Sequence, residues 1–373
     1  MKLVVLGLSI TSSWGNGHAT TYRALLSQLA ALGCDIIFLE RDVPWYAANR
    51  DAPSLPFCRV ELYRDLEDLR TRFLETIHSA DCVLVGSYVP DGVAVGEWVA
   101  ASAEGITAFY DIDTPLTLAK LERGDFEYLA PDLIPKYRIY FSFTGGPTLE
   151  RLEQRYGSPA ARALYCSADC EFYYPEPVRK RWMFGYLGTY SLDRQRSVEE
   201  LLVAPAQRLA GEQFVVAGPS YPENVLWPPN VSRIDHLPPD RHRPFYCAQK
   251  FTLNLTRADM RRAGYSPSVR LFEAAACAVP IISDVWDGIE KFFNPGREIL
   301  LVRKAAEVTA ILEELPDRER EQIGTQARER VVSEHTAGRR AEQFIASLAE
   351  AGFSFRPAPK LKLYSRAPTN VRP

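Results

Sequence analysis

The sequence predicts an α/β protein with two domains, each built on a parallel sheet covered by helices. Two observations lead to this prediction. Short apolar runs alternate with helical segments along most of the chain. A segment rich in tyrosine, proline and basic residues, at 172–181, separates two such series. The length of 373 residues is enough for two domains of roughly 150 residues each.

The apolar runs are the predicted strands, because the strands of a doubly covered parallel sheet are apolar throughout. In the first series they lie at residues 2–8, 35–39, 82–85, 107–110 and 139–143, with a loop at 11–17 and a helix at about 18–32. In the second series they lie at 183–188, 213–217, 251–255, 279–282 and 298–302, with helices at about 198–209, 305–315 and 319–334. A last helix, at about 338–351, follows without a strand.

These segments predict an N-terminal domain at 1–175, a C-terminal domain at 176–335, a final helix within 336–352 and a proline-rich, basic tail at 353–373. Two similar α/β halves suggest two Rossmann-like domains that face a cleft. In such sheets, ligands bind outside the carboxyl ends of the strands.

Composition excludes several classes of partner. A net charge of −3 gives no electrostatic reason to expect nucleic acid, and no apolar stretch approaches the roughly 20 residues that span a bilayer. The seven cysteines are scattered, and no histidine or second cysteine pair completes a zinc set around Cys166 and Cys170. Buried free thiols predict a cytoplasmic protein. The oligomeric state stays open.

The segment 264–296 carries the densest signal. Ser266 and Pro267 predict a helix start over about 267–277, with free N–H groups that suit a diphosphate. Arg270 and Glu273 follow on one helix face. A structural ion pair between these two charges is the alternative interpretation.

The loop after the first strand contains Gly15, Asn16 and Gly17, where the glycines permit positive φ and close approach of a ligand. His18 follows at the helix start, as a candidate base or hydroxyl ligand, with an ordinary surface histidine as the alternative. Thr20 stands at the third glycine position of the dinucleotide fingerprint, which argues against a nicotinamide or flavin protein.

Two carboxylates follow the strand at 107–110. Asp113 is a candidate hydroxyl-binding residue or base, and Asp111 is interpreted as structural. The pair precedes Thr114-Pro115 at a predicted helix start, and a shared metal is not expected. After the next strand, Gly145 lies in a turn that would admit a ligand close to the backbone, and a tight turn alone is the alternative interpretation.

In the second half, Gly188 and Gly218 follow strands, and Arg194 lies close behind the first of them. Arginine binds phosphate oxygens in a bidentate manner, so this region suits a diphosphate. Arg257 lies in a basic loop that leads into the 264–296 segment. The alternative interpretation is that these arginines, like the nearby Arg196, are solvated at the surface.

Several motifs resemble GT-B glycosyltransferases of the spore-maturation, CgeB-like type, which are related to the glycosyltransferases of group 1. They are GYSPSVRLFEAAAC with PIISD-x-W, F-x-YLGTYS-x-DRQ, VVAGP and LNLTRADM. The resemblance implies two Rossmann-like domains, with the donor nucleotide on the C-terminal domain and the acceptor on the N-terminal domain. The candidate acceptor-binding residues are then Gly15, Asn16, Gly17 and Gly145. The resemblance also implies no obligatory metal and a last helix that crosses back to the first domain.

Within this resemblance, Glu273 matches the glutamate that binds the donor ribose, and Ser266 to Ser268 match the helix start at the phosphates. Tyr265 occupies the position where group 1 has a second glutamate, and Ala278 the position of a usual glycine.

The predicted function is transfer of a sugar from a nucleotide-diphosphate sugar to an acceptor hydroxyl, without a metal and without a cofactor other than the donor substrate. The alternatives are a sugar-nucleotide epimerase or hydrolase of the same fold, for which His18 with Asp113 is the candidate acid/base pair, and a non-catalytic sugar-nucleotide-binding protein. An NAD-dependent oxidoreductase comes third. The donor, the acceptor and the stereochemistry are not specified by the sequence.

Overall fold

The first sheet has seven parallel strands. They are β1 (Lys2–Gly7), β2 (Asp35–Arg41), β3 (Arg59–Tyr63), β4 (Cys82–Gly86), β5 (Ile106–Asp111), β6 (Ile139–Ser142) and β7 (Ala161–Ala163). In space the order is β3-β2-β1-β4-β5-β6-β7. In this computed structural model, which describes residues 1–353, Val4 of β1 lies between Ile37 and Val83, and all three are buried.

The helices of this domain connect the strands and cover both faces of the sheet. They are α1 (Gly17–Ala31), α2 (Pro44–Ala47), α3 (Leu66–His78), α4 (Gly92–Ser102), α5 (Thr114–Glu122) and α6 (Pro147–Gln154). A 3-10 turn at Ile134–Lys136 precedes β6.

The second sheet has six parallel strands in the same kind of order. They are β8 (Trp182–Leu187), β9 (Phe214–Ala217), β10 (Val231–Ile234), β11 (Gln249–Asn254), β12 (Ile281–Asp284) and β13 (Leu300–Val302). Their spatial order is β10-β9-β8-β11-β12-β13. In both sheets the strand order therefore reverses once, between β1 and β4 in the first and between β8 and β11 in the second, as in doubly wound sheets.

The helices that cover the second sheet are α7 (Leu192–Val198), α8 (Ala204–Arg208), α9 (His242–Cys247), α10 (Ala258–Ala263), α11 (Val269–Ala276), α12 (Ala305–Glu314) and α13 (Asp317–Glu334). Short 3-10 turns lie at Pro239–Arg241 and Ile289–Lys291. The helix predicted at 198–209 begins six residues earlier, and a π-helical turn at Glu199–Val203 interrupts it. Pro205 follows that turn, and a proline without an N–H cannot complete the regular hydrogen-bond ladder.

The last helix, α14 (Ala337–Glu350), packs on the N-terminal domain. Phe344 stacks on Phe141 of β6 with ring centroids 5.0 Å apart. The buried Arg340 donates to the carbonyl oxygens of Tyr165 and Cys166. Apart from Phe353, the predicted tail lies outside the described residues.

Three strands were not predicted: β3, β7 and β10. Each lies at the edge of a sheet and is short or half-exposed. An edge strand is covered less completely than a central strand, so it lacks the continuous apolar run that identifies the others.

The two domains meet at the segment before α11, which corrects the predicted helix start. The Gly145 amide donates to the Tyr265 carbonyl oxygen at 3.0 Å, and Thr144 Oγ1 donates to Ser266 Oγ at 2.9 Å. The Cys166 thiol contacts the Pro267 carbonyl oxygen at 3.5 Å. Residues 265–267 are thus held in a non-helical conformation by the N-terminal domain, and α11 begins only at Val269.

Candidate functional site

The strand order locates the candidate site. In doubly wound sheets, the crevice for a ligand opens at the carboxyl ends of the strands where the order reverses. Here these are the ends of β1 and β4 in the first sheet, and of β8 and β11 in the second. The candidate residues follow these strands or their neighbours.

A buried carboxylate shapes the loop after β1. Glu40, near the end of β2, is 0 % exposed and accepts hydrogen bonds from the Ile10 and Thr11 amides at 2.7 and 3.0 Å. Its other oxygen accepts from the hydroxyls of Ser9 and Thr11 at 2.9 and 2.6 Å. A dinucleotide enzyme uses an acidic residue in this region for the ribose, but Glu40 is committed to the loop, which further weakens the nicotinamide alternative.

Asn16 caps α1 and positions His18. Its Oδ1 accepts from the His18 amide at 3.0 Å, and its Nδ2 donates to the carbonyl oxygens of Ser9 and Ser12. The side chain is buried and positions the start of α1, and its predicted acceptor-binding role stays a prediction. Gly15 has the expected positive φ of 61°, whereas Gly17 does not and simply begins the helix.

His18 and Asp113 come together, as the sequence prediction requires for a catalytic pair. His18 Nε2 lies 3.7 Å from Asp113 Oδ2, and their side chains are 11 % and 33 % exposed. The Tyr88 ring packs edge-on against the imidazole with centroids 5.3 Å apart. His18 is therefore held behind Asp113, and Asp113 is the member that a ligand in the cleft can reach. Their catalytic role stays a prediction.

Asp111 is structural in its contacts. Its carboxylate is 0 % exposed and accepts from Tyr140, from Thr117 and from the Asp113 amide. Burial raises the pKa of Asp111 to about 6 because desolvation disfavours the ionised form. The group supports the backbone of Asp113 and does not face the cleft.

Three arginines of the C-terminal domain come together at the carboxyl ends of β8 and β11. Arg194 lies in α7, Arg257 immediately before α10, and Arg270 in the first turn of α11. Burial lowers the pKa of Arg194, and the charges of Arg270 and Arg257 lower it further. Among residues 1–353, no carboxylate oxygen lies within the 4.0 Å of a salt bridge from any of the three.

Arg194 is the most buried of the three, with 8 % exposure. Its Nη2 donates to the Thr189 carbonyl oxygen at 2.7 Å, while its buried Nε has no hydrogen-bond partner in the described part of the chain. A buried cation without a counter-charge is costly, whereas Arg270 is half-buried and Arg257 is exposed. The role of the three arginines in phosphate binding stays a prediction.

Two glycines allow the arginines to approach the backbone. A Cβ on Gly188 would lie 3.0 Å from Arg270 Nη2 and would clash with the Tyr186 hydroxyl, and a Cβ on Gly218 would clash with the Gly188 carbonyl. Both amides are already bonded, to the Ala217 and Ile234 carbonyl oxygens. These glycines therefore provide space rather than free N–H donors.

Arg270 and Glu273 do not pair with each other, which removes the structural ion pair considered above. Arg270 donates to the Leu187 carbonyl oxygen and to Asn254 Oδ1. Glu273 accepts from the hydroxyls of Tyr173 and Tyr246, at 2.9 and 3.1 Å. A carboxylate has about four acceptor positions, so capacity for ribose hydroxyls remains. The ribose role stays a prediction.

The residues around the start of α11 are arranged differently from the prediction. Ser266 is buried against Thr144 instead of capping the helix. Ser268 is the N-cap residue, but its hydroxyl donates to Asn254 Oδ1 at 2.7 Å and accepts no hydrogen bond from the helix amides.

Tyr265 and Gly145 belong to the contact between the domains. Tyr265 has φ 48°, and its ring lies between Gly146 and Gly288, where a Cβ on either glycine would clash with it. The group that approaches the glycine turn is therefore a tyrosine of the other domain. The proposed ligand contacts of Gly145 and Tyr265 remain untested.

Arg257 is the member of the cluster that lies near the His18–Asp113 pair. Burial raises the pKa of Tyr88, and the charge of Arg257 opposes this rise, so Arg257 lies within electrostatic reach of the tyrosine that packs on His18. The helix that follows Arg257, α10, contacts α5, which begins directly after Asp113.

Sequence reasoning missed three supporting residues: Glu40, Tyr88 and Asn254. Glu40 and Asn254 each lie at the carboxyl end of a buried strand, and Tyr88 follows β4. Their position was a usable signal, since side chains at this edge of a parallel sheet face the ligand crevice. Their partners are distant in sequence and could not be predicted.

Two general findings limit the kind of site. Across residues 1–353, no cluster of three or more histidine, cysteine, aspartate or glutamate side chains is placed to hold a metal ion. The described helices include none with the length and apolar character needed to cross a membrane.

Comparison with known proteins now adds to this geometry. Residues 194–346, which include the arginine cluster, match a family model described as glycosyl transferase-like. No curated protein matches the chain by sequence. Sucrose-phosphate synthase from Thermosynechococcus elongatus is similar in structure, with a TM-score of 0.69 and 15% identity over 94% of this chain and 98% of that chain.

Two further solved structures are similar in fold to this chain. Anabaena HepE in complex with UDP and glucose has a TM-score of 0.69 and 13% identity, over 94% of this chain and 99% of that one. The T4 phage enzyme BGT in complex with UDP-glucose has a TM-score of 0.62 and 12% identity, over 95% and 100%. The chain has the GT-B fold. The GT-B fold confirms the predicted fold class: two Rossmann-like domains that face a cleft.

Proposed function

We propose that this GT-B protein is a glycosyltransferase that moves a sugar from a nucleotide-diphosphate sugar to an acceptor hydroxyl, without a metal. The observation that carries the proposal is the cluster of Arg194, Arg257 and Arg270, which has no carboxylate partner in the described residues. The glycosyl transferase-like sequence of residues 194–346 supports it.

The reaction breaks the bond between the sugar and a diphosphate, and the bonding electrons leave with the nucleoside diphosphate. Cations placed where that charge develops stabilise the transition state. The arginine cluster provides such cations at a strand end where ligands of this fold class bind. It therefore takes the role that a metal has in other enzymes.

The acceptor oxygen forms the new bond to the sugar and loses its proton. In our proposal, the proton passes to the His18–Asp113 pair. Asp113 meets the acceptor hydroxyl, and His18 lies 3.7 Å behind it. A second charged or protonated group at that distance adjusts the basicity of the first.

The finer assignment is a CgeB-like enzyme of the cytoplasm. The quoted motifs support the subtype. The seven cysteines are all free thiols, which supports a reducing compartment.

The test measures donor binding and turnover with UDP-, GDP-, ADP- and dTDP-sugars, of which UDP-glucose comes first because HepE and BGT have been solved with UDP or UDP-glucose. A donor at 100 times its Kd should raise the unfolding free energy by about 2.7 kcal/mol. Arg194→Ala should abolish this shift and lower kcat/KM for nucleotide release by about 100-fold.

The matched control is Arg196→Ala, because Arg196 is exposed and lies on the same helix. The proposal fails if both variants behave like the wild type. Donor binding without turnover in any acceptor mixture would instead identify a sugar-nucleotide-binding protein. Turnover to free sugar alone, or to an epimerised donor, would identify the hydrolase or epimerase alternative.

A further inference from the structure

Two tryptophans stand exposed at the acceptor side of the cleft. Trp14 and Trp45 are each 56 % exposed, whereas the other four tryptophans of the chain are buried or half-buried. Exposed large aromatic side chains are informative because folding does not require them at the surface. Both tryptophans lie at the carboxyl edge of the first sheet, in the loop regions after the adjacent strands β1 and β2, where Trp45 belongs to the short helix α2.

Hydrogen bonds hold these two loops together as one surface, which we name the tryptophan rim (residues 12–16 and 42–51). Ser12 Oγ donates to the Asn49 carbonyl oxygen at 2.7 Å, and Asn49 Nδ2 donates to the Trp45 carbonyl oxygen at 2.7 Å. Ser13 donates to Asp51 through its amide and its hydroxyl. The backbone that carries both indoles is therefore fixed before any ligand binds.

The rim is directly connected to the candidate catalytic pair. Trp14 precedes Asn16 by two residues, and the Asn16 side chain binds the His18 amide at 3.0 Å. A ligand that lies on the Trp14 indole is thus placed beside the loop that positions His18.

The chemistry around the indoles is mixed. Asp42 pairs with Arg50 at 2.6 Å, and Asp51 pairs with Arg23 at 2.8 Å, with the two carboxylates 44 % and 45 % exposed. A protein partner needs a contiguous, mainly apolar core of contact, which these charges interrupt. Each carboxylate is paired with an arginine, so the rim has no net positive charge that would attract an anionic membrane surface.

We infer that the tryptophan rim is a binding subsite for a saccharide acceptor. A pyranose ring has a C–H face that packs on an indole, and hydroxyls at its edge that bond to carboxylates and guanidinium groups. The rim offers both kinds of group side by side. This inference rests on the proposed function, since it assigns the acceptor of that reaction.

The first experiment measures binding of unmodified disaccharides to the full chain by equilibrium titration, which does not require turnover. Trp14→Ala and Trp45→Ala should each weaken binding by about ten-fold, and Trp14→Phe should keep most of it. Leu74→Ala, an exposed apolar residue on α3, is the control and should bind like the wild type.

The second experiment measures kinetics with the same disaccharides and with glycerol as a small acceptor. The alanine variants should raise KM for the disaccharide and leave both donor binding and the reaction with glycerol unchanged. Unaltered disaccharide binding in both alanine variants overturns the subsite, as does a wild type that binds no disaccharide of the panel. A wild type that binds disaccharides through the rim but releases no nucleotide would keep the subsite and reject the proposed transfer reaction.

Discussion

The two edges of the cleft differ in how their polar groups are satisfied. On the N-terminal edge, Glu40 and Asn16 are bonded within the loop that carries His18. On the C-terminal edge, the arginine cluster bonds mainly to carbonyl and amide oxygens, and the buried Arg194 Nε has no partner in the described residues. The loop after β1 is thus saturated at Glu40 and Asn16, although the buried His18 Nδ1 has no partner in the described residues. The C-terminal edge keeps an excess of positive charge.

This difference matches the different requirements of the acceptor and the donor in the proposed reaction. An acceptor hydroxyl needs a fixed base, and fixed geometry comes from saturated hydrogen bonds. A diphosphate needs unneutralised cations, which cost stability until the anion arrives. Each edge nevertheless has one buried carboxylate behind it: Asp111 behind Asp113, and Asp284 behind the Thr256 that precedes Arg257.

The largest expected effect is on turnover, from substitutions in the His18–Asp113 pair of the N-terminal edge. Asp113→Asn and His18→Ala should each lower kcat by about 100-fold to 10 000-fold, because they remove the proposed proton acceptor or its neighbour. Donor affinity should stay unchanged, since neither residue belongs to the arginine cluster. Steady-state kinetics and donor titration check this prediction, and a loss of donor affinity equal to that of Arg194→Ala would contradict the division.

The next prediction concerns the two buried carboxylates, Asp111 and Asp284, and how their pKa values affect stability. Burial raises the pKa of both Asp111 and Asp284 to about 6, against about 3.9 in an unfolded chain. The folded protein holds these protons more tightly, so each group favours folding below pH 4, and this contribution is lost as the pH rises through 6. Each elevation corresponds to roughly 3 kcal/mol, at about 1.4 kcal/mol per pKa unit.

Urea unfolding at pH 4, 5, 6 and 7 tests this. Asp111→Asn and Asp284→Asn should each flatten the fall in unfolding free energy between pH 4 and pH 6. Asp132→Asn is the control, because it removes a carboxylate that is exposed. An unchanged pH profile in both buried variants would show that these carboxylates titrate normally.

The sequence predicted the fold and the proximity of His18 to Asp113 because both depend on local patterns. Apolar runs place the strands, and residues that follow parallel strands gather at one edge of the sheet. Ser266 shows where this reasoning ends. Ser266-Pro267 is a valid local helix start, but contacts with Thr144 and Cys166 of the other domain override it. Such contacts have no signal in a single sequence.

Glu273 shows a similar limit. Its carboxylate contacts Tyr173, one hundred residues earlier in the chain, and Tyr246. The local pattern suggested Arg270 as the partner because of helical spacing. Arg270 and Glu273 bond to different partners that are distant in sequence, and tertiary packing decides which partners these are.

A moderate effect should appear when the hydrogen bonds of Glu40 in the loop after β1 are disturbed. Glu40→Gln keeps an oxygen for the two backbone amides but replaces the oxygen that accepts from Ser9 and Thr11 with a donor. We expect a loss of about 1–3 kcal/mol in unfolding free energy and a higher acceptor KM with unchanged donor affinity. Glu61→Gln, on the neighbouring edge strand, is the control. A larger change in donor affinity than in acceptor KM would break the comparison between the edges.

The smallest effects concern one left-handed residue on each side. Gly15, in the loop of the N-terminal edge, has φ 61°, and Ala278, just after α11, has φ 54°. Ala278 occupies a helix-terminating position, where its amide donates to the Ala275 carbonyl oxygen and the Val279 amide donates to that of Ala274. Glycine is the residue that normally fills this position.

Ala278→Gly should therefore raise the unfolding free energy by up to about 1 kcal/mol, and Gly15→Ala should lower it by about 1 kcal/mol, because an L side chain is strained at positive φ. Gly17→Ala is the control: Gly17 begins α1, and a Cβ there meets no atom within 4 Å, so alanine should be neutral or slightly stabilising. Urea unfolding measures all three variants. If Gly15→Ala and Gly17→Ala change stability equally, the N-terminal loop does not depend on its left-handed residue. The fixed geometry attributed to that edge would then have to come from the Glu40 and Asn16 hydrogen bonds alone.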